Sequence, residues 1–548
     1  MSKPRKPIAA FLLLLVGAPL AAIALLSIGA LLDASAWVEL WRDPQWPAAL
    51  ALSLWTGVAS TALAWWISAA LLAQGFVRHR LSALLRGVPA MLATPHAAFA
   101  IGLAFLIAPS GWVLRGLSPW LTGFDWPPAW PTTQDPWGLG LILALTAKEV
   151  PFLLWTAATQ LQRDDVRQRW RAEHTLAQTL GYGPARAWWL VVWPQLGSRL
   201  LWPLLAVLAY GLTVVDMALV IGPATPPTLA VLSWQWLQDA DLATNARGAT
   251  AGGVLALAML LVAWGWRGLQ RLQARRLRRC SGLRGRASAR STTLVAGAVG
   301  LWLLGGLYAA VLLALAVGSL SGVWPFPSLW PDTLTTQAWS SVWSSRQTVG
   351  TTLALALVSS AIALLWSVAW LEFSPRRWDT TLRPLLYLPL VLPAVLWVVG
   401  LYRLALQAHL EGQWAGLLLA HTAMVLPYVL LALSPAYLGF DPRAAQLSQS
   451  LGHGHWAFLL RVKWPLLRRS LAASAAVGFA VSVTQYLPTL YIGAGRFATV
   501  TTEAVTLASG AQRSLTSAYA GLQFILPVLA FGLAAWVGRP RRFGVNKP

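Results

Sequence analysis

Three fully charged side chains, Lys148, Glu149 and Asp216, fall inside long apolar stretches of this sequence. Ionisable groups are costly in hydrocarbon, so each marks either a structural pairing or the passage of a polar solute. Lys148 and Glu149 are neighbours; on a helix they point about 100° apart and cannot face one another. Structural pairing with another helix, or a position nearer the inner interface than the span limits suggest, is the favoured reading for both, with a pathway role as its rival. Asp216, with Gln485 and Tyr486 roughly opposite it later in the chain, is the leading candidate for the wall of a polar pathway. His96 and His421 stand alone, and no His, Cys, Asp and Glu cluster has the spacing of metal ligands. Hydrolysing ATP needs a phosphate-binding loop whose lysine follows a glycine, and none of Lys3, Lys6, Lys148, Lys463 or Lys547 does. The residues therefore imply no catalysis, no cofactor and no metal.

The elements that hold these groups must lie in lipid. Of 548 residues, 57% are apolar and only 11% charged, against about 25% charged in soluble domains. Disorder is excluded by the same figures. The lone Cys280 cannot form an internal disulfide. Apolar segments of about 20 residues, enough for a helix to cross a hydrocarbon layer roughly 30 Å thick, recur along the whole chain. Twelve are expected, at about 8–32, 48–75, 84–108, 138–160, 199–222, 247–267, 293–320, 347–371, 384–407, 414–437, 471–493 and 518–537. Their continuous apolar runs exclude a barrel with period-two alternation. The first run is too long for a cleaved signal and is expected to be a retained helix. The fold class expected is an all-α polytopic membrane protein.

Most of the 41 Lys and Arg residues fall in the segments that are inner if both termini are cytosolic, so the net charge of +23 is a topology signal. The basic stretch 268–292 then reads as a cytosolic connector near anionic headgroups and not as a nucleic-acid patch.

The chain repeats itself. Leu180-Gly181-Tyr182-Gly183, Trp193-Pro194, Ile221-Gly222 and Thr228 return as Leu451-Gly452-His453-Gly454, Trp464-Pro465, Ile492-Gly493 and Thr499, each offset by 271 residues. The stretch from Ala144 to Phe152 returns at Ala420 to Tyr428, offset by 276, and Pro95 to Gly102 keeps the spacing of Pro393 to Gly400. Two halves, 1–267 and 293–548, are expected around the linker 268–292. Six spans each, an even number, make them parallel repeats with a pathway between them.

In each half the longest inner loop follows the fourth span. Leu176-Ala177-Gln178-Thr179-Leu180-Gly181 and Leu447-Ser448-Gln449-Ser450-Leu451-Gly452 each place helix formers before a glycine. An aromatic or apolar stretch then leads to Trp-Pro. This predicts a short amphipathic helix, a glycine-permitted break, a segment along the bilayer surface, and a proline that starts the next span.

These loops resemble those of the permease family of bacterial ABC importers. The family signature is Glu-Ala-Ala, three residues, Gly, and thirteen residues on a Pro; both halves keep the thirteen, from Gly181 to Pro194 and from Gly452 to Pro465. The family's Glu falls on Thr175 and Gln446, and its alanines on Leu176-Ala177 and Leu447-Ser448. The resemblance to fused two-half members, those associated with iron(III), thiamine and uncharacterised solutes, covers essentially the whole chain. It implies a passive permease in a bacterial inner membrane, served by a soluble binding protein outside. Two cytosolic ATPases would each receive one loop helix, at about 172–188 and 443–459. The main rival is an ion-coupled secondary transporter, which predicts paired intramembrane charges over several spans and gives no reason for two matched loops. A polytopic membrane enzyme would need clustered His, Asp or Glu at one interface.

Overall fold

A computed structural model describes residues 5–161, 163–280, 292–510 and 512–539. It is helical throughout, with no strand among the described residues beyond two isolated bridges. Among the described residues ten helices are long and apolar enough to cross a membrane, or up to twelve if each of two sharply bent pairs forms one span.

The main helices fall into two matched series of nine. The first comprises α1 (Arg5–Gly29), α2 (Trp46–Val77), α3 (His96–Ile107), α4 (Leu139–Leu161), α5 (Asp164–Thr179), α6 (Leu201–Thr213), α7 (Asp216–Ile221), α8 (Leu229–Leu237) and α9 (Leu242–Cys280). The second comprises α10 (Thr292–Ser319), α11 (Arg346–Phe373), α12 (Ala394–Gln407), α13 (Trp414–Leu438), α14 (Pro442–Ser450), α15 (Trp464–Val483), α16 (Leu487–Gly493), α17 (Val500–Ala508) and α18 (Arg513–Val537). Helix α9 carries 268–280 on as helix, while 281–291 of the basic connector lie outside the described residues.

Side-chain chemistry repeats with the helices. The Leu229 N–H that opens α8 donates to Ser53 Oγ of α2 at 2.8 Å, and the Val500 N–H that opens α17 donates to Thr352 Oγ1 of α11 at 2.9 Å. A helix start leaves N–H groups unsatisfied, and a hydroxyl from the neighbouring span supplies the missing acceptor.

Four expected spans are not single helices. The third, drawn at 84–108, starts its apolar helix only at His96, after a separate short helix Val88–Ala93. Pro95 explains this, because it forces Thr94 into extended backbone. The ninth, drawn at 384–407, breaks at Leu392 and Pro393, where Ala394–Gln407 turns by 99° from the helical stretch before it. The fifth, drawn at 199–222, breaks at Val214 and Val215 before α7; the eleventh, drawn at 471–493, breaks at Thr484 to Tyr486 before α16. The residues preceding α7 and α16 have matching backbone, Val215 at φ −113° and ψ −50° and Tyr486 at φ −105° and ψ −67°.

The first helix of each series packs on the other series. Helix α1 lies against α11 and α12, and α10 against α2 and α3. Glycine makes both approaches possible. A side chain at Gly400 of α12 would strike the Ile23 carbonyl and Ser27 Oγ of α1, and one at Gly102 of α3 would reach Val311 Cγ1 of α10 at 2.7 Å. Close helix contact through small residues is the usual way apolar spans associate in lipid.

Candidate functional site

Two loops protrude on the same face of the bundle, and each is built as an elbow. In the first, α5 ends at Thr179, two residues before Gly181, whose φ of +92° only glycine adopts cheaply. A short helix Pro184–Ala187 follows, then a π-turn over Trp188–Val192, then Trp193-Pro194 at the start of Trp193–Arg199. The second repeats the order: α14, Gly452 at φ +76°, His455–Phe458, a π-turn over Leu459–Lys463, and Trp464-Pro465 at the start of α15. The residues Leu176, Leu180, Leu447 and Leu451 are 61–67% exposed, whereas Ala177 and Ser448 between them are buried. Thr175 and Gln446 are also exposed. Both elbows thus turn the same leucines outward. Pro194 is half-buried and Pro465 exposed.

Different chemistry fixes the two elbows. In the first, the Glu173 carboxylate accepts from Arg169 Nε at 2.8 Å and from Gln195 Nε2 at 2.6 Å, and Trp170 Nε1 donates to Gln195 Oε1 at 3.0 Å. This ties α5 to the segment after the π-turn. Burial pushes the Glu173 carboxyl upward, but the hydrogen bonds from Arg169 and Gln195 outweigh it, and its pKa is lowered overall. In the second elbow, Glu372 at the end of α11 accepts from Lys463 Nζ at 2.6 Å and from the Tyr437 hydroxyl at 2.8 Å. His455 Nε2 stands 3.4 Å from its other oxygen. These four anchoring groups, Glu173, Gln195, Glu372 and Lys463, escape sequence reasoning. Glu372 and Lys463 are 91 residues apart and nothing local pairs them.

The intramembrane candidates divide. Lys148 Nζ donates to the carbonyls of Thr94 at 2.6 Å and Met91 at 3.1 Å, and lies 5.6 Å from the Tyr308 ring. It occupies the end of the short helix that Pro95 interrupts, where a cation suits the freed carbonyls. Glu149 Oε1 is 3.9 Å from His96 Nε2, and the His96 ring lies 4.6 Å from that of Tyr210. The Tyr210 hydroxyl reaches Asp216 Oδ1 at 3.5 Å. Two residues of the second half close the group: Tyr428 is within electrostatic range of Glu149, and Tyr486 of Asp216. Asp216 is the first residue of α7 and not the middle of a continuous span; at an offset of 271 its equivalent is Leu487, while Gln485 and Tyr486 match Val214 and Val215. Gln485 and Asp216 are half-buried and Tyr486 is buried. His421 is satisfied by Ser482 Oγ at 2.8 Å and Thr489 Oγ1 at 2.9 Å.

The arrangement thus holds two exposed elbows and, between the series, a cluster of two carboxylates, a histidine and three tyrosines beside two helix breaks. Among the described residues no group of three or more His, Cys, Asp or Glu could hold a metal.

No family model matches the chain. It is 34% identical over 99% of its length, and 99% of the relative's, to a protein of Escherichia coli K12 named as the inner membrane ABC transporter permease protein YnjC. It is also 26% identical, over 90% of its length and 87% of the relative's, to the thiamine transport system permease protein ThiP of Salmonella typhimurium. The Brucella abortus protein of the same name is 27% identical over 47% of this chain and 49% of its own.

Proposed function

This chain belongs to the permease family of ABC transporters, and from that premise we propose that its two elbows seat two copies of a separate cytosolic ATPase. It is the permease subunit of a binding-protein-dependent importer in the inner membrane. The observation that carries the proposal is the matched exposure of Leu176 and Leu180 with Leu447 and Leu451 on two separately anchored helices. Burying each leucine in a partner groove is worth about 1.5–3 kcal/mol. The elbow face is then cytosolic, with both termini on that side, and a soluble binding protein meets the opposite face.

ATP hydrolysis belongs to the partner, and this chain converts its closure into movement. The second elbow continues through its π-turn directly into α15, and the first through Trp193–Arg199 and a 68° bend at Leu200 into α6, so a displaced α5 or α14 pulls on the span behind it. Those spans end at the breaks before α7 and α16, which are the hinge points nearest Asp216 and Tyr486. Alternate exposure of the cluster around Glu149 and Asp216 follows. Its two carboxylates and tyrosine faces suit a small solute that carries positive charge. Lys148 is a positioning residue for the interrupted third span.

The test is uptake into proteoliposomes holding the permease and its ATPase, with the binding protein supplied on the face opposite the elbows. Accumulation that requires ATP and ignores a proton gradient is expected. Accumulation driven by the gradient with ATP depleted would establish the ion-coupled alternative, which the family does not favour.

A further inference from the structure

On the face opposite the elbows, a cavity of about 780 Å³ opens between the series. Phe105, Ser110, Trp112 and Arg115 of the first half form one wall, and the ends of α10 and α18 with the loop between α10 and α11 form the other. Two guanidinium groups share it. Arg115 is buried, and four of its N–H groups donate to the carbonyls of Ser110, Trp324, Pro325 and Ser328 at 2.7–3.0 Å. Its charge meets carbonyl dipoles and the Trp324 ring, 4.8 Å away, but no carboxylate among the described residues. Arg513, the first residue of α18, is close enough to Arg115 for the two to repel, and donates to Ser110 Oγ at 2.5 Å. The rest of the lining is rich in hydroxyls and amides, including Gln337 and Ser514, and contains no acidic side chain.

Two cations held side by side without a counter-charge are costly, and the loop clasp explains only Arg115. Elsewhere on this face a half-buried arginine is paired: Arg247 Nη1 meets Asp43 Oδ2 at 3.1 Å. The cavity is the size of a small-molecule site, about 300–1,000 Å³, and an arginine fork with nearby hydroxyls matches a tetrahedral oxyanion. Trp112 and Trp324 are among its lining residues, and such side chains sit at headgroup level in membranes.

We infer that this cavity is an anion site for a phosphate-bearing group, held jointly by Arg513 of the second half and the Arg115 wall of the first. The phosphate is either free or carried by an anionic lipid headgroup, and the two sources are separable. The full chain is placed in nanodiscs of neutral phosphatidylcholine, and its unfolding midpoint is followed as inorganic phosphate replaces chloride at constant ionic strength. A second set of nanodiscs contains phosphatidylglycerol and no added phosphate. Arg513→Gln, which keeps a donor for Ser110, is run in both. Stabilisation by either source that is about tenfold weaker in its concentration dependence in Arg513→Gln, the size of one lost charge-assisted hydrogen bond, supports the site and names the source. No stabilisation by either, or the same stabilisation in Arg513→Gln, overturns it.

Discussion

Lys463 Nζ lies 2.6 Å from Glu372 Oε2, and the equivalent positions in the first half hold Val192 and Ala73, both fully buried. Tyr437, which also donates to Glu372, corresponds to buried Leu161. At this position one elbow is thus riveted to its spans by a part-buried ion pair where the other uses close apolar packing. Breaking a buried pair from one side strands a charge, whereas replacing the whole group by packed apolar residues is often neutral.

Glu372→Ala alone is therefore expected to destabilise by roughly 3 kcal/mol, read as a lower unfolding midpoint. The triple change Glu372→Ala, Tyr437→Leu and Lys463→Val, which copies the first half, should recover most of that loss. A triple variant no better than the single one would show that the ion pair does more than the apolar contacts at its equivalent site.

Glu173 gives the first elbow a pH dependence. Its folded carboxyl titrates below the ordinary 4.5, so its contribution is complete above that value and is lost as pH falls through the depressed one. Comparing the unfolding midpoints of wild type and Glu173→Gln should show wild type ahead near neutral pH. The gap should close below pH 4.5. A gap that widens on acidification would contradict the sign.

Gly102 and Gly400 should be equally intolerant of size. Gly400→Val drives a branched side chain into the backbone of α1, and Gly102→Val into α10. Each is expected to cost about 1–3 kcal/mol or more by overpacking. Gly305→Val, which meets open space within 4 Å, serves as the control and should leave the midpoint unchanged.

Asp216→Asn should impair solute handling and leave ATPase association intact. Loss of one charged contact predicts an apparent solute affinity weaker by about tenfold, seen as a raised KM with hydrolysis still stimulated. Unchanged KM would remove Asp216 from the pathway.

The elbows were legible because their signals are local: a glycine in left-handed backbone and a Trp-Pro pair, at the same spacing in each loop. The breaks before α7 and α16 were not. Val214 and Val215 continue an apolar run, and hydropathy carries no information on whether such a run stays helical. Nor did anything in the chain mark α1 and α10 as packing across the halves, because a helix apolar on every side does not say which partner it faces. The partners of Lys148 were not legible either, because they are carbonyls that Pro95 frees 54 residues away.

The most direct test places cysteines at Leu180 and Leu451 in a Cys280→Ser background and crosslinks the assembled transporter in its membrane. Both positions should capture the ATPase, and Leu180→Glu with Leu451→Glu should abolish that capture while the chain still inserts. If neither cysteine ever reaches a nucleotide-hydrolysing partner in a complex that is transporting, the elbows are not where the force enters.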